Sequence, residues 1–112
     1  MPTEVRPWGV FETLLDEIDY KVKRIIISPN HSISLQYHFH REEYWTVVEG
    51  NGELTLEDTV KNVEVGSTIF IGKKETHRLK AGKNGISIIE VQLGICDEED
   101  IVRLEDNYGR IE

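Results

Sequence analysis

Apolar and polar residues alternate one by one along much of the chain, with Val, Ile and aromatic residues at many of the apolar positions. A period of two marks strands that turn one face to a core. It predicts strands in VFETLL, YKVKRIIIS, SISLQYHFH, EYWTVVEG, GELTLE, TVKNVEV, STIFIG, HRLKA and ISIIEVQLG. Turn chemistry separates these runs at Pro29-Asn30, Asn51-Gly52, Glu57-Asp58, Val65-Gly66, Gly72-Lys73 and in the GKNG of residues 82–85. Short strands at this cadence describe an all-β antiparallel sandwich or small barrel. One segment stands apart: DEEDIVRLED, residues 97–106, is expected to carry a helical turn, its acidic start suited to the positive end of a helix dipole. No repeat, low-complexity tract or linker interrupts the pattern, so residues 1–112 read as a single domain.

Charge narrows the partners. The net charge of −8 argues against nucleic acid, whose binders rely on clustered Lys and Arg. One small anion needs only two or three well-placed cations, so a charged small molecule stays open. Cys96 is the single cysteine, which excludes an intrachain disulfide and suits a reducing compartment. No run of 18 apolar residues is present and MPTEVRPWGVFETLLDEIDY has no signal-peptide pattern, so no membrane association and a cytoplasmic location are expected.

Candidate chemistry concentrates in SISLQYHFH. Period-two alternation puts Ser34, Gln36, His38 and His40 on one face and Ile33, Leu35, Tyr37 and Phe39 on the other. A half-exposed strand with solvated histidines would show the same pattern. Two further residues favour a site: Glu43 at the start of the next strand, and His77 in IGKKETHRL. Imidazole, carboxylate and amide oxygen drawn from separate segments suit Zn²⁺, Mn²⁺, Fe²⁺, Co²⁺ or Ni²⁺. The apolar face also needs cover, and a second subunit is expected to supply it as a homodimer.

The spacing Asn30-x5-Gln36-x-His38-x4-Glu43-x6-Gly50 resembles the first motif of the cupins, with Asn30 at the motif's Gly and Gln36 at its first His. Gly66-x5-Gly72-x-Lys74-x2-His77-x3-Ala81 resembles the second. The resemblance implies a cupin-type double-stranded β-helix, a jelly-roll barrel, with Gln36, His38, Glu43 and His77 as metal ligands. His40 falls outside that register, as a substrate contact or an alternative ligand.

RPWGVFETLL, SLQYHFHREEYWTVVEGNG, THRL and IIEVQLGICDEEDIVRLEDNYGR together resemble the type II mannose-6-phosphate isomerase cupin. In that family the domain often follows a mannose-1-phosphate guanylyltransferase domain, and nucleotidyl transfer is not expected of these 112 residues. The resemblance implies a metal-dependent aldose-ketose isomerase of mannose 6-phosphate, acting through an enediolate and feeding GDP-mannose and polysaccharide synthesis. Such chemistry needs a base, an oxyanion stabiliser and a phosphate anchor. Glu90 is the candidate base, a structural acid paired with Arg being the other reading; His40 and Arg41 are further catalytic candidates. Arg41, Arg78, Gln92 and Lys23 are candidate substrate contacts, with Arg24, Arg103 and Arg110 further out. Trp8 and Trp45 suit core packing or an interface better than sugar stacking. Two other functions compete with the isomerase: a non-catalytic sugar-phosphate or sugar-nucleotide binding module, and a metal-dependent oxygenase or different sugar isomerase or epimerase.

Overall fold

A computed structural model describes residues 3–95, 97 and 99–109. Among these the regular elements are all strands: β1 (Thr3–Arg6), β2 (Gly9–Asp16), β3 (Tyr20–Ile27), β4 (Leu35–Tyr37), β5 (Arg41–Leu56), β6 (Thr59–Glu64), β7 (Thr68–Ile71), β8 (His77–Gly94) and β9 (Val102–Glu105). The all-β expectation holds. Cys96 and Arg110 lie outside the described residues.

Two long strands organise the molecule. β5 and β8 run antiparallel from Arg41↔Gly94 to Leu56↔His77, with register shifts between Val47 and Glu49 and between Gly50 and Gly52. The first half of β5 and the second half of β8 belong to one layer, in which β7 flanks β5 while β3, β2 and β1 continue beyond β8. Their other halves belong to a second layer that adds β6 on one side and β4 with β9 on the other. Both layers thus share the same pair of strands, which bend from one into the other.

This corrects two expected turns. Asn51-Gly52 and residues 82–85 reverse nothing: they lie inside β5 and β8. Gly50 and Gly85, at φ 74° and 78°, kink the two strands side by side where the sheet folds over. A bulge and positive-φ glycine produce a corner when the partner strand bends with them. Within residues 97–106, where a helical turn was expected, Val102–Glu105 form β9, because Val102 and Arg103 find ladder positions against Tyr37 and Gln36 of β4, while ahead of it the Asp100 N–H donates to the Asp97 carbonyl at 3.0 Å in a turn-type bond.

The core lies between the layers, built by Trp45, Val47, Leu54, Ile69, Ile71, Leu79, Ile86 and Ile88 with Trp8 and Phe11. Ile33 packs against it. Phe39, from the face expected to need a partner, is exposed and meets Tyr37 edge-on at 5.2 Å. A more continuous outer row joins Phe70, Tyr44, Val91 and Val22 across four neighbouring strands.

Candidate metal centre

The inward positions of β5 read Arg41, Glu43, Trp45, Val47, and those of β8 read Gln92, Glu90, Ile88, Ile86. Register puts Glu43 against Gln92 and Trp45 against Glu90, so both strands pass from polar to apolar in step. The result is a polar layer at one end of the barrel over an apolar floor. Into that layer β4 and the start of β8 bring Gln36 and His77, which are cross-strand partners.

His38, Glu43 and His77 are buried and can each aim one ligand atom so that all lie within 4.8 Å of one another. Their second contacts prepare them. Nδ1 of His38 donates to the Asp100 carbonyl at 2.6 Å, and Nδ1 of His77 to the Glu75 carbonyl at 3.0 Å. With each ring proton engaged there, both Nε2 lone pairs face inward, the arrangement that orients histidine ligands in metal sites. Burial pushes the His38 pKa down to about 4, helped by Arg41 and His77, and burial likewise lowers His77. Both imidazoles are therefore neutral at pH 7 and able to coordinate. The donor set fits a divalent ion.

Gln36 reaches the same centre, but its Nε2 is the atom that faces the imidazoles, 3.4 Å from His38 and 3.5 Å from His77. Its Oε1 accepts from the Ser34 hydroxyl at 2.5 Å. Service as an oxygen ligand requires the amide to turn over and surrender Ser34.

Beside the group, Glu43 and Glu90 share one donor: Trp45 Nε1 lies 3.1 Å from an oxygen of each. Gln92 donates to the other Glu90 oxygen at 2.5 Å. Burial raises the Glu90 pKa to about 7, with the Glu43 charge adding to the rise. A cavity of about 100 Å³ opens here, its lining including Arg6, Lys23, Arg41, Arg103, Glu43 and Glu90. Trp8 and Trp45 are buried in its wall as part of the core.

Of the other expected site residues, His40, Arg78 and Arg24 lie elsewhere, whereas Lys23 and Arg103 line the cavity. His40 is exposed and tied through its backbone, the N–H donating to Asp100 at 2.9 Å and the carbonyl accepting from the Ile95 N–H at 3.1 Å. β4 ends at Tyr37, so period-two alternation does not carry to residue 40, and neither the alternative-ligand nor the catalytic role fits. Arg78 also departs: it faces outward, donating to the Ile33 carbonyl at 3.2 Å and to Glu105 at 3.1 Å. As the strand neighbour of His77 it must take the opposite face. Arg24 pairs with Glu12 at 3.0 Å. Lys23 is buried with its Nζ 4.4 Å from the Phe11 ring centre, and Arg103 lies in the cavity wall.

Asp100 was hidden from sequence reasoning inside the acidic run. Partial burial works to raise its pKa, but the backbone N–H groups of Phe39 and His40 outweigh that and hold it below the ordinary carboxylate value. Its backbone carbonyl meanwhile holds His38.

These shifts predict an acid limb in stability. For His38 the folded pKa is below the unfolded value of 6.5, so its contribution is present above pH 6.5 and lost as pH falls toward 4. Glu90 acts oppositely: its contribution is present below 4.5 and lost as pH rises through about 7. With His77 adding to the histidine side, urea unfolding is expected to show a net loss on the order of 1–3 kcal/mol between pH 6.5 and 4.5. Glu90→Gln, which removes the opposing slope, is expected to steepen that loss; a shallower limb would contradict the assignment.

A double-layered barrel built on two shared strands, with two histidines and a glutamate converging from β5, β8 and the end of β4, defines a cupin-type double-stranded β-helix. The family model described as "Mannose-6-phosphate isomerase C-terminal" matches residues 2–106, and the chain belongs to that family. It is 44% identical over 107 residues to the "Xanthan biosynthesis protein XanB" of Xanthomonas campestris pv. campestris (strain B100), covering 94% of this chain and 23% of that protein. It is 40% identical to the "Mannose-1-phosphate guanylyltransferase ManC" of Salmonella typhimurium (strain LT2), covering 95% of this chain and 22% of the relative. The chain therefore spans less than a quarter of the length of these relatives. Among solved structures it resembles oxalate decarboxylase from Bacillus subtilis, with TM-score 0.82 and 14% identity over 92% of this chain and 30% of the other. The capsular polysaccharide assembling protein CapF from Staphylococcus aureus gives 0.79 and 21% over 93% and 32%. Identities this low show the fold alone.

The isomerase expectation is corrected by these relatives. They are named as guanylyltransferases and polysaccharide biosynthesis proteins, of which this chain matches only a small part, and that match is no evidence of isomerase activity. A family description names a lineage of folds, and chemistry does not follow from a fold. The isomerase roles expected of Glu90 and Arg41 rested on that reaction.

Proposed function

We propose that the chain is a metal-holding cupin module that binds an anionic sugar phosphate or sugar nucleotide without converting it, in the cytoplasmic supply of activated mannose for polysaccharide synthesis. The names of its relatives support the setting. The observation that carries the ligand class is the charge of the cavity wall: Arg6, Lys23, Arg41 and Arg103 against two carboxylates, Glu43 and Glu90, in a chain of net charge −8. Lys23 and Arg41 are buried, while Arg6, paired with Glu4 at 3.1 Å, and Arg103 are partly exposed; this excess of cations around a cavity in an acidic protein favours a phosphate, and Arg offers it paired donors. A divalent ion on His38, Glu43 and His77 would add positive charge at the border of the same cavity.

Size limits how the ligand sits. The cavity of about 100 Å³ is smaller than the roughly 300–1,000 Å³ of pockets that enclose whole organic ligands. It accommodates a phosphate group, leaving the sugar outside it. The test is calorimetric titration of ion-loaded and ion-stripped protein with mannose 1-phosphate and GDP-mannose, followed by NMR of the recovered ligand. Binding strengthened by the ion, with the ligand unchanged, is the expected result. Failure of every phosphorylated sugar to bind ion-loaded protein would sink the reading.

A further inference from the structure

The side chain of Arg41 lies inside the ligand group and is 7% exposed. Its Nε donates to Oε2 of Glu43 at 2.9 Å, and its Nη2 lies 3.2 Å from Nε2 of His38. A guanidinium offers donors and no acceptor. Because the His38 proton is on Nδ1, held by the Asp100 carbonyl, the contact at Nε2 is an Arg41 N–H donated into the imidazole lone pair. That nitrogen has a single lone pair. It serves the guanidinium or a metal ion, and never both at once.

We propose that Arg41 is a resident counter-cation of the metal centre, holding in the ion-free protein the His38 lone pair and the Glu43 charge that a divalent ion must take. The proposal rests on the reading that His38, Glu43 and His77 hold an ion. Without a cation, Glu43, 2% exposed, would be a buried charge, which is costly. Arg41 removes that cost and so stabilises the empty site. Ion binding is then an exchange: Nη2 leaves His38 and the longer Gln36 Nε2 contact at 3.4 Å turns aside, while Nε can stay on Glu43 Oε2 because the carboxylate has a second oxygen to give. The released edge of the guanidinium lies in the wall of the cationic cavity.

The test compares wild type, Arg41→Met and Arg41→Lys by calorimetric titration with Zn²⁺ and Mn²⁺, together with melting temperatures of ion-free and ion-loaded protein. Arg41→Met is expected to bind the ion about tenfold or more tightly, the order of one charge-assisted hydrogen bond. Its ion-free form should melt lower than wild type, and loading should recover the difference. An ammonium carries three donors and His38 Nε2 lies 3.4 Å from Oε2 of Glu43, so one lysine can serve both acceptors, and Arg41→Lys should bind the ion less tightly than Arg41→Met. If the methionine protein does not fold, Arg41→Gln, which also removes the charge, is measured in its place. Unchanged or weaker affinity in the uncharged variant, or affinity in Arg41→Lys equal to that of the uncharged variant, overturns the proposal and leaves the metal reading standing. No binding by any of the three proteins overturns both.

Discussion

His77→Ala is expected to weaken divalent-ion binding by more than about 100-fold, the upper range seen when only a supporting contact of a ligand is lost. His77 is fully buried, and its Nε2 lies 3.9 Å from Oε1 of Glu43 and 3.5 Å from Gln36. With it gone, the group falls from three candidate ligands to two. The barrel should survive, because Leu54, Leu79, Ile71, Ile88 and Val47 supply buried apolar surface without help from an ion. The matched control is His40→Ala: an exposed ring outside the group should leave affinity unchanged. Calorimetric titration with Zn²⁺, alongside far-ultraviolet circular dichroism, reads both parts. Wild-type affinity in His77→Ala would remove the metal centre from this protein, and an unfolded His77→Ala chain would show that the polar layer is structural.

Period two was enough to find most strands, because an inward row such as Trp45 and Val47, or Ile86 and Ile88, repeats wherever a strand lines a core. Strand ends and corners were less legible. Asn51-Gly52 and the GKNG of 82–85 have the composition of hairpin turns, and composition does not distinguish a chain that reverses from one that kinks beside a kinked partner. Only the pairing of β5 with β8 across both glycines decides it. Residues 102–105 depart from expectation for a related reason: local propensity points to a helical start, whereas the edge of β4, remote in sequence, makes β9 a strand.

The site divides along the same line. Gln36, His38, Glu43 and His77 could be grouped because their spacing is local or follows a motif, and the structure brings all four together. Distances alone show that Gln36 presents nitrogen, that Arg41 sits on His38, and that Asp100 sets the His38 tautomer. Asp100 is 62 residues from His38, and a backbone carbonyl leaves no trace in residue identity. The function was legible least. Resemblance selected a reaction, yet the relatives that match most of this chain are named for xanthan biosynthesis or guanylyl transfer.

Gly50→Ala is expected to destabilise the fold by about 4 kcal/mol, combining left-handed backbone strain with a forced backbone contact. Gly50 has φ 74°, and a Cβ there would fall 2.1 Å from the carbonyl oxygen of Gly85 and 3.1 Å from Cα of Ile86. Those atoms belong to the backbone of β8, so relief requires the paired strands to separate where the two layers meet. Gly66 is the internal control, since at φ 93° it has nothing within 4 Å of an added Cβ. Gly66→Ala should therefore pay only the conformational part, about 1 kcal/mol. Urea unfolding of the two variants isolates the close approach from the φ preference. Because Glu43 and Glu90 hang from the strands that Gly50 and Gly85 bend, Gly50→Ala protein that still folds should also lose ion affinity, while Gly66→Ala should retain it. Equal destabilisation by both substitutions would mean that the kink is soft and that the corner does not hold the polar layer in register.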